Sequence, residues 1–263
     1  MLKDIKQEID DLVRYRYVIY SFVSSTLKMR YKRSFLGFIW SLLGPILNYC
    51  VVGFVISRLA KFQQENYLSY VLFGSLTFNF FNASIGLGGS SLINNENYIR
   101  KIYLPKSIFS VSVIAMEFLN FILGLLAVTV VTVILGRFSL TWSLFYLPIS
   151  LFIVFLFTLS IGLILSVAFV YFRDLMHVLP IVMQGVFFAT PIIYPRSAVI
   201  GDYAKYIDWN PIYGIVELIR FPLVFGQNPP LNLLGSMFLC TMVLFIASMK
   251  LLKHFDNKII FKL

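Results

Sequence analysis

The chain has 263 residues, of which 59% are hydrophobic and only 13% are charged, with a net charge of +10. A soluble domain typically has about 45–50% apolar and about 25% charged residues, so this composition excludes an ordinary soluble domain. The excess apolar residues lie in long blocks, and a bilayer accommodates such blocks because a spanning helix needs about 20 apolar residues. The sequence therefore predicts an all-α integral membrane protein.

Residues 1–34 precede the first apolar block and predict an amphipathic helix along the cytoplasmic membrane surface. Apolar residues from Ile5 to Leu27 recur at three- and four-residue steps, and charged residues fill much of the opposite face. The tyrosines of this segment suit the headgroup layer of the membrane. The helix could simply anchor the first span, or it could dock a partner or admit a lipid.

Six apolar blocks within residues 35–252 are long enough to cross a bilayer. They cover about residues 35–57, 68–93, 108–135, 142–172, 176–194 and 231–252. A seventh apolar stretch, residues 211–225, is too short to cross and is interrupted by Glu217, Arg220 and Pro222. It predicts a re-entrant or interfacial hairpin within an external region at residues 195–228.

The distribution of basic residues predicts the orientation. Lysines and arginines are concentrated before the first span and around the last one, and six spans put both termini on the same side. The positive-inside rule then places both termini, including the tail at residues 253–263, in the cytoplasm. Because the basic residues sit beside the spans, they favour membrane lipids as partners over nucleic acid.

The sequence contains no pattern that predicts catalysis or a metal site. Cys50 and Cys240 both lie inside predicted spans, where a cysteine is usually a small buried apolar group, and His177 is far from His254. No GxxxxGK[ST] phosphate-binding loop occurs. We therefore expect no cofactor in this chain and no nucleotide hydrolysis by the chain itself.

Two short connections are candidate contact points. Residues 94–106, between the second and third spans, are polar and then amphipathic, so a short helix could present Tyr98, Ile102 and Tyr103 to a cytoplasmic partner. The segment could also be a mere connector. Between the fourth and fifth spans, Arg173 and Asp174 could pin a tight turn or simply be solvated.

Glu117 is the only acidic residue well inside a predicted span. A carboxylate in a membrane is costly unless it is paired or hydrated, so a functional role is one hypothesis. The alternative is a packing residue that hydrogen-bonds Asn120 or a neighbouring helix.

Five segments, in order, resemble landmarks of the ABC-2 permeases that export bacterial polysaccharides. They are RYKRSFLGFIW at residues 30–40 followed by Pro45, NYIRKIYLPK at 97–106, FRDL at 172–175, PIIY at 191–194 and NP at 210–211. The resemblance covers nearly the whole chain and is closest to the O-antigen permeases, with capsule and teichoic acid permeases as near relatives. It implies the six-span fold of this family and a gate hairpin in the external region.

The resemblance also implies the partners. Such permeases are homodimers in the bacterial inner membrane that work with two copies of a separate ATPase, which binds ATP and magnesium. Their cargo is a polysaccharide linked to a lipid such as undecaprenyl pyrophosphate. Aromatic side chains would suit that cargo, because sugar rings present C–H faces to flat π surfaces.

The residue patterns and the resemblance together predict four groups of site residues. ATPase coupling is assigned to Asn97, Tyr98, Ile99, Arg100, Lys101, Ile102 and Tyr103. The lipid-linked substrate would enter beside Tyr15, Arg16, Tyr31 and Arg33. Candidates for the channel wall are Trp40, Tyr49, Phe78, Phe80, Phe81 and Glu117. Structural or gate roles are expected for Arg173, Asp174, Tyr194, Asn210 and Pro211.

Two alternatives stay open at this point. An ABC-2 permease for a small amphiphile or drug would share this architecture without sharing the cargo. A membrane-embedded transferase would be expected to cluster polar catalytic residues near one membrane face, and the sequence shows no such cluster.

Overall fold

The computed structural model of the chain describes residues 8, 10–31, 43–44, 47, 51, 66–136, 138, 140–199, 201 and 203–263. Within these residues the chain is almost entirely helical and contains no strand. The predicted first span falls largely outside them, although its residues 43–44, 47 and 51 are helical. Arg33, Trp40 and Tyr49 also lie outside the described residues.

The described α-helices are, in chain order, α1 (Arg16–Tyr31), α2 (Tyr67–Asn94), α3 (Glu96–Lys101), α4 (Ser107–Ile134), α5 (Leu147–Tyr171), α6 (Leu175–Ala189), α7 (Tyr203–Asp208), α8 (Pro211–Arg220) and α9 (Leu231–Lys262). Short 3₁₀ segments cover Trp142–Tyr146 and Arg196–Ala198, and a π-helical turn, Phe221–Phe225, continues α8.

Among the described residues, four segments are long and apolar enough to cross a membrane, namely Tyr67–Lys101, Ser107–Ile134, Trp142–Tyr171 and Leu231–Asp256. They coincide with the second, third, fourth and sixth predicted spans, so the prediction of an apolar helical membrane protein is confirmed. Helix α9 has 32 residues and is therefore about 48 Å long, more than a hydrocarbon core of about 30 Å requires. The predicted tail is thus a continuation of the last span.

The helix in the fifth predicted span is shorter than expected. Helix α6 ends at Ala189, and Thr190 has an extended backbone instead of the predicted continuation to Tyr194. Pro191 explains the difference, because proline disfavours helical backbone in the preceding residue and cannot donate a helical hydrogen bond. At 15 residues, α6 is about 22 Å long, so a fifth crossing stays a prediction.

Helix α2 is the centre of the bundle. It is buried over most of its length and packs against α4, α5, α6 and α8. Small residues allow this close packing. The Cδ1 atom of Ile114 in α4 lies between Gly88 and Gly162, so close that a Cβ atom on either glycine would overlap it, at 2.7 and 2.5 Å respectively.

The bundle has two ends that we name by their short helices. At the α3 end, Ile99, Phe109, Ile259 and Leu263 share one apolar cluster, and Phe22 of α1 packs against it. At the α8 end, the first turns of α2 pack against α8 and the segment that follows α6. The helix nearest the N-terminus and the last residues of the chain therefore meet at the same end of the molecule.

Replacing Gly162 with alanine tests the packing of Ile114. We expect Gly162→Ala to lower the free energy of unfolding in detergent micelles by about 1–3 kcal/mol, because the new methyl group overlaps a side chain already held by Gly88. The double variant Gly162→Ala/Ile114→Val removes the overlapping Cδ1 and should regain stability. Gly86→Ala is the control, since a Cβ there meets nothing within 4 Å. A Gly162→Ala variant as stable as the parent would contradict the packing described here.

Candidate functional site

Aromatic contacts hold α1 on the α3 end of the bundle. The ring of Phe22 lies 5.7 Å from that of Tyr98 and 5.6 Å from that of Phe109, and both pairs meet edge to face. Edge-to-face pairs add about 0.5–1.5 kcal/mol beyond the burial of their area. The amphipathic helix predicted from the sequence therefore packs directly on the connection between the second and third spans.

Polar contacts tie the same connection to both ends of the chain. Lys106 is buried at the start of α4, and its ammonium forms an ion pair with Asp256 near the end of α9. The Ser107 hydroxyl donates a hydrogen bond to a carboxylate oxygen of Glu8, 3.2 Å away. Burial raises the pKa of Glu8 above its ordinary value. The connection is thus held from the N-terminal and the C-terminal sides.

Helix α3 and the two residues that follow it expose large apolar side chains, although the sequence predicted that the helix itself would carry Ile102 and Tyr103. Ile99 points into the cluster and is 8% exposed, whereas Tyr98, Ile102 and Tyr103 are 50%, 53% and 88% exposed. The polar members of the predicted coupling group, Asn97, Arg100 and Lys101, are exposed, and Arg100 donates to Glu96 over 2.8 Å. We call Tyr98, Ile102 and Tyr103 the α3 platform. Exposed apolar patches of this kind mark interaction surfaces.

The predicted lipid-facing residues lie along α1. Tyr15 is half-buried at the turn that separates the helical residues 10–14 from α1. The exposed guanidinium of Arg16 lies 5.0 Å from the ring of Tyr17, and Tyr31 is the last residue of the helix. Tyr15 and Arg16 therefore lie at the start of α1 and Tyr31 lies at its end, and a role in lipid entry stays a prediction.

The candidate channel aromatics on α2 are enclosed by protein in this conformation. Phe80 stacks on Phe121 of α4 at 4.7 Å, Phe81 packs 5.8 Å from Phe157 of α5, and Phe78 meets the ring of Phe187. All three α2 rings are at most 5% exposed. A role for them in a channel wall stays a prediction.

Glu117 is buried in α4, as expected for an intramembrane carboxylate. The hydrogen bond to Asn120 that the sequence suggested is not formed, because neither atom of the buried Asn120 amide has a hydrogen-bond partner. The pairing of Glu117 with Asn120 is therefore not observed, and a functional role for Glu117 stays a prediction.

Arg220, the last residue of α8, has a heavily hydrogen-bonded side chain at the α8 end. Its side chain is fully buried. Its guanidinium donates to the carbonyl oxygens of Tyr70 (3.2 Å), Pro191 (2.8 Å) and Ile192 (2.8 Å), and to the Glu217 carboxylate (3.0 Å). One side chain therefore ties together α2, α8 and the segment after α6. We call this arrangement the Arg220 cluster.

Helix α2 is shaped to receive that guanidinium. The ring of Tyr70 lies 3.5 Å below its Cζ atom, a cation–π contact. Gly74, one turn further along α2, leaves the space that Arg220 occupies, because a Cβ there would overlap the guanidinium. The hydroxyl of Tyr70 donates to the Pro191 carbonyl over 3.1 Å, and that of Tyr67 donates to the Ile193 carbonyl.

Three of the five predicted structural or gate residues, Tyr194, Asn210 and Pro211, lie in the segments next to this cluster. The Tyr194 hydroxyl donates to the carbonyl of Phe188 over 2.9 Å. Asn210 caps α8 by accepting from the amide of Ile212, and its own amide donates to Thr190 over 3.0 Å. Pro211 occupies the first turn of α8, where its missing N–H costs nothing.

Arg196 forms an ion pair near the α8 end, whereas Arg173 and Asp174 are exposed in the turn between α5 and α6. Arg196 pairs with Asp208 over 2.9 Å, and this hydrogen bond holds the pKa of Asp208 below its ordinary value. Arg173 and Asp174 lie exposed in the turn between α5 and α6, and the structure, over its described part, shows no ion pair for either one. Their backbone carbonyls accept hydrogen bonds from the amides of Met176, His177 and Val178, and a structural role for their side chains stays a prediction.

Sequence reasoning missed the Arg220 cluster. The signal was present, since Glu217 and Arg220 are spaced by three residues inside an otherwise apolar block. Residues at that spacing lie on the same side of a helix and can pair. The three carbonyl acceptors could not have been found from sequence, because they come from two distant segments.

Substituting Arg220 tests the cluster. Arg220→Met keeps an unbranched stem but removes the guanidinium and leaves the Glu217 carboxylate buried without its partner, so we expect a loss of about 3–5 kcal/mol in unfolding free energy. Arg220→Met/Glu217→Leu should regain part of it, because the unpaired charge is then removed. Arg196→Gln is the control. It breaks the solvent-exposed pair of Arg196 with Asp208, so it should lower the unfolding free energy by less than about 1 kcal/mol. Equal losses in the single and double variants would show that the ion pair is not the source of stability.

Comparison with known proteins places the chain in a family. The profile of the ABC-2 type transporter family matches residues 17–224. The chain is 31% identical over 210 residues to the O-antigen export system permease protein RfbA of Myxococcus xanthus, covering 79% of this chain and 80% of that protein. It is 29% identical over 191 residues to the protein of the same name from Klebsiella pneumoniae, covering 72% and 73%. The polysialic acid transport protein KpsM of Escherichia coli is 22% identical over 84% of this chain and 88% of its own length. The chain belongs to the ABC-2 type transporter family.

Proposed function

We propose that this chain is the membrane permease subunit of a polysaccharide export system of the O-antigen type. The observation that carries the proposal is its similarity, over 72–79% of its length, to proteins named as O-antigen export permeases. The helical architecture agrees, since four described segments are long and apolar enough to cross a membrane. In this proposal the cargo is a polysaccharide attached to a lipid carrier such as undecaprenyl pyrophosphate.

Energy would come from a separate ATPase subunit that binds ATP and magnesium. The 263 residues contain no GxxxxGK[ST] loop, and the α3 platform offers an exposed apolar surface for such a subunit. Because α3 continues almost directly from α2, a push on the platform would act on the central helix of the bundle. Two permease chains and two ATPase chains would form the working assembly.

The α3 end would face the cytoplasm of a bacterial cell, with the chain in the inner membrane. The charge distribution supports this orientation, because basic residues are concentrated in the N-terminal and C-terminal segments. Packing supports it as well, since both segments meet at the α3 end. The α8 end, with the Arg220 cluster, would then lie at the external side, where the gate hairpin is proposed.

Export of a capsular polysaccharide is the second candidate. The similarity to the polysialic acid transport protein KpsM favours it, although the identity is 22% against 28–31% for the O-antigen permeases. The two candidates share the permease role and differ in the polymer. Teichoic acid and drug export remain further from the observed similarities.

Disrupting the gene in its natural host tests the permease role. We expect lipid-linked glycan to accumulate inside the cell and the surface polysaccharide to disappear, because synthesis continues while export stops. Immunoblotting of the surface polysaccharide and mass spectrometry of extracted lipid-linked glycan measure the two pools. Normal surface polysaccharide in the disrupted strain would overturn the proposed function.

Changing the α3 platform tests the docking of the ATPase. Tyr98→Ala/Ile102→Ser/Tyr103→Ala should weaken co-purification of the ATPase and lower the ATPase activity of the complex. Truncation of a single hot-spot residue at an interface costs about 2 kcal/mol or more, so one such residue among the three is enough for a loss of at least tenfold in affinity. Trp142→Ala/Phe145→Ala is the matched control, since both rings are also highly exposed but belong to the short 3₁₀ helix before α5. Full activity in the triple variant would refute the docking assignment.

A further inference from the structure

A cavity of about 730 Å³ lies between α8 and the first half of α9. Its volume falls within the range of about 300–1,000 Å³ that small-molecule sites occupy. The lining residues come from the end of α7, from α8 with its π-helical turn, and from α9. The residues of the Arg220 cluster do not occupy this cavity, although Glu217 belongs to the cluster and also lines the cavity.

The α8 wall of the cavity carries polar and aromatic groups. Tyr213, Glu217 and Phe221 succeed one another at four-residue steps, so they share one face of the helix. The opposite face, which includes Ile215 and Ile219, is fully buried in the core. The apolar face of α8 is therefore buried against the bundle, and the face with Tyr213, Glu217 and Phe221 borders the cavity.

The α9 wall is a row of small and medium-sized side chains. Leu233, Ser236, Met237 and Cys240 follow at helical spacing along the cavity. Cys240 lies nine residues after the first residue of α9, which places it about 14 Å along the helix from Leu231. The two walls meet closely at Gly214, where a Cβ atom would overlap the sulfur of Met237.

The polar groups that line the cavity indicate which class of ligand it can bind. Asp208 and Glu217 contribute two carboxylates, Asn210 and Asn232 contribute amides, and the lining contains no lysine, arginine or histidine. Each carboxylate is already paired with an arginine, Asp208 with Arg196 and Glu217 with Arg220, so the lining carries little net charge. It offers amide and carboxylate acceptors to an uncharged ligand that carries many hydroxyl donors. The carboxylate of Glu217 already accepts from Arg220 and has further lone pairs for a second donor.

The aromatic residues complete the match. Trp209, Tyr213 and Phe221 line the same cavity, and Trp209 is 88% exposed at its mouth. Flat aromatic faces cover the C–H faces of a pyranose ring, while carboxylate and amide oxygens accept from its hydroxyls. An alkyl chain is the rival occupant, because most of the lining is apolar, but only a sugar would use the amide and carboxylate acceptors as well as the aromatic faces.

We propose that the cavity between α8 and α9 binds one or two uncharged sugar units of a glycan. The inference rests on the proposed function, because polysaccharide export supplies the glycan at this end of the molecule. The site belongs to a single chain and lies apart from the α2 aromatics that were the candidates for a channel wall. It gives the exported polymer a weak binding position beside the Arg220 cluster.

Protection of Cys240 from a thiol reagent measures occupancy of the cavity. The full chain with Cys50→Ser, in lipid nanodiscs, keeps Cys240 as its sole cysteine. The ligands are oligosaccharides of one to four repeat units released from the host's own surface polysaccharide by mild acid, which removes the lipid. By mass action, labelling should slow about tenfold when the oligosaccharide is present at about ten times its Kd.

Trp209→Ala should shift the protection curve to at least about tenfold higher oligosaccharide concentration, which corresponds to the loss of one aromatic contact. The matched control is Trp142→Ala, because Trp142 is also highly exposed, at 83%, but does not line the cavity. Its protection curve should match that of the parent. Each variant is compared with its own labelling rate without sugar, so a change in the reactivity of Cys240 is not mistaken for binding.

Three results would overturn the sugar site. They are no protection by any oligosaccharide, equal protection in Trp209→Ala and the parent, and protection only by a polyprenyl phosphate or phospholipid without sugar. The last result would identify an apolar-chain site instead. Any of them leaves the export role standing if gene disruption still removes the surface polysaccharide, whereas normal surface polysaccharide overturns the export role itself.

Discussion

The burial of one arginine determines how the α8 end of this protein is built. A guanidinium carries a permanent charge and five N–H donors, and removing it from water without partners would cost several kcal/mol. Arg220 is fully buried and makes four hydrogen bonds and a cation–π contact. Three of those bonds go to backbone carbonyls, so the side chain stabilises the course of the chain as well as the charge of Glu217.

The carbonyl acceptors exist because a helix stops early. Pro191 ends α6 at Ala189, and the carbonyls of Pro191 and Ile192 then have no helical donor. Arg220 supplies donors to both, and Tyr70 and Tyr67 add hydroxyl donors to the same segment. Pro191 thus ends the helix and frees the carbonyl groups, and Arg220, 29 residues later, supplies their hydrogen-bond donors.

The same arrangement positions the elements that face outward. Because Gly74 and Tyr70 hold the end of α8 against α2, the polar face of α8 is turned toward α9 and borders the cavity there. Helix α2 and helix α3 together form the almost continuous segment Tyr67–Lys101, which begins at the Arg220 cluster and ends at the α3 platform. The Arg220 cluster and the α3 platform are therefore connected by one largely buried helix that is closely packed on several sides.

The amino-acid sequence by itself determined the class of protein, four of the spanning segments and the short helix α3. These features depend on local apolar length and on helical periodicity, which can be counted along the chain. The motifs at residues 97–106, 191–194 and 210–211 also indicated the family before any comparison. Only the tertiary structure decided that Phe80 stacks inside the protomer, that Asn120 does not reach Glu117 and that Arg220 bonds to Tyr70. These contacts join residues that are far apart in the sequence, or they depend on how the helices pack against each other. No local sequence pattern contains that information.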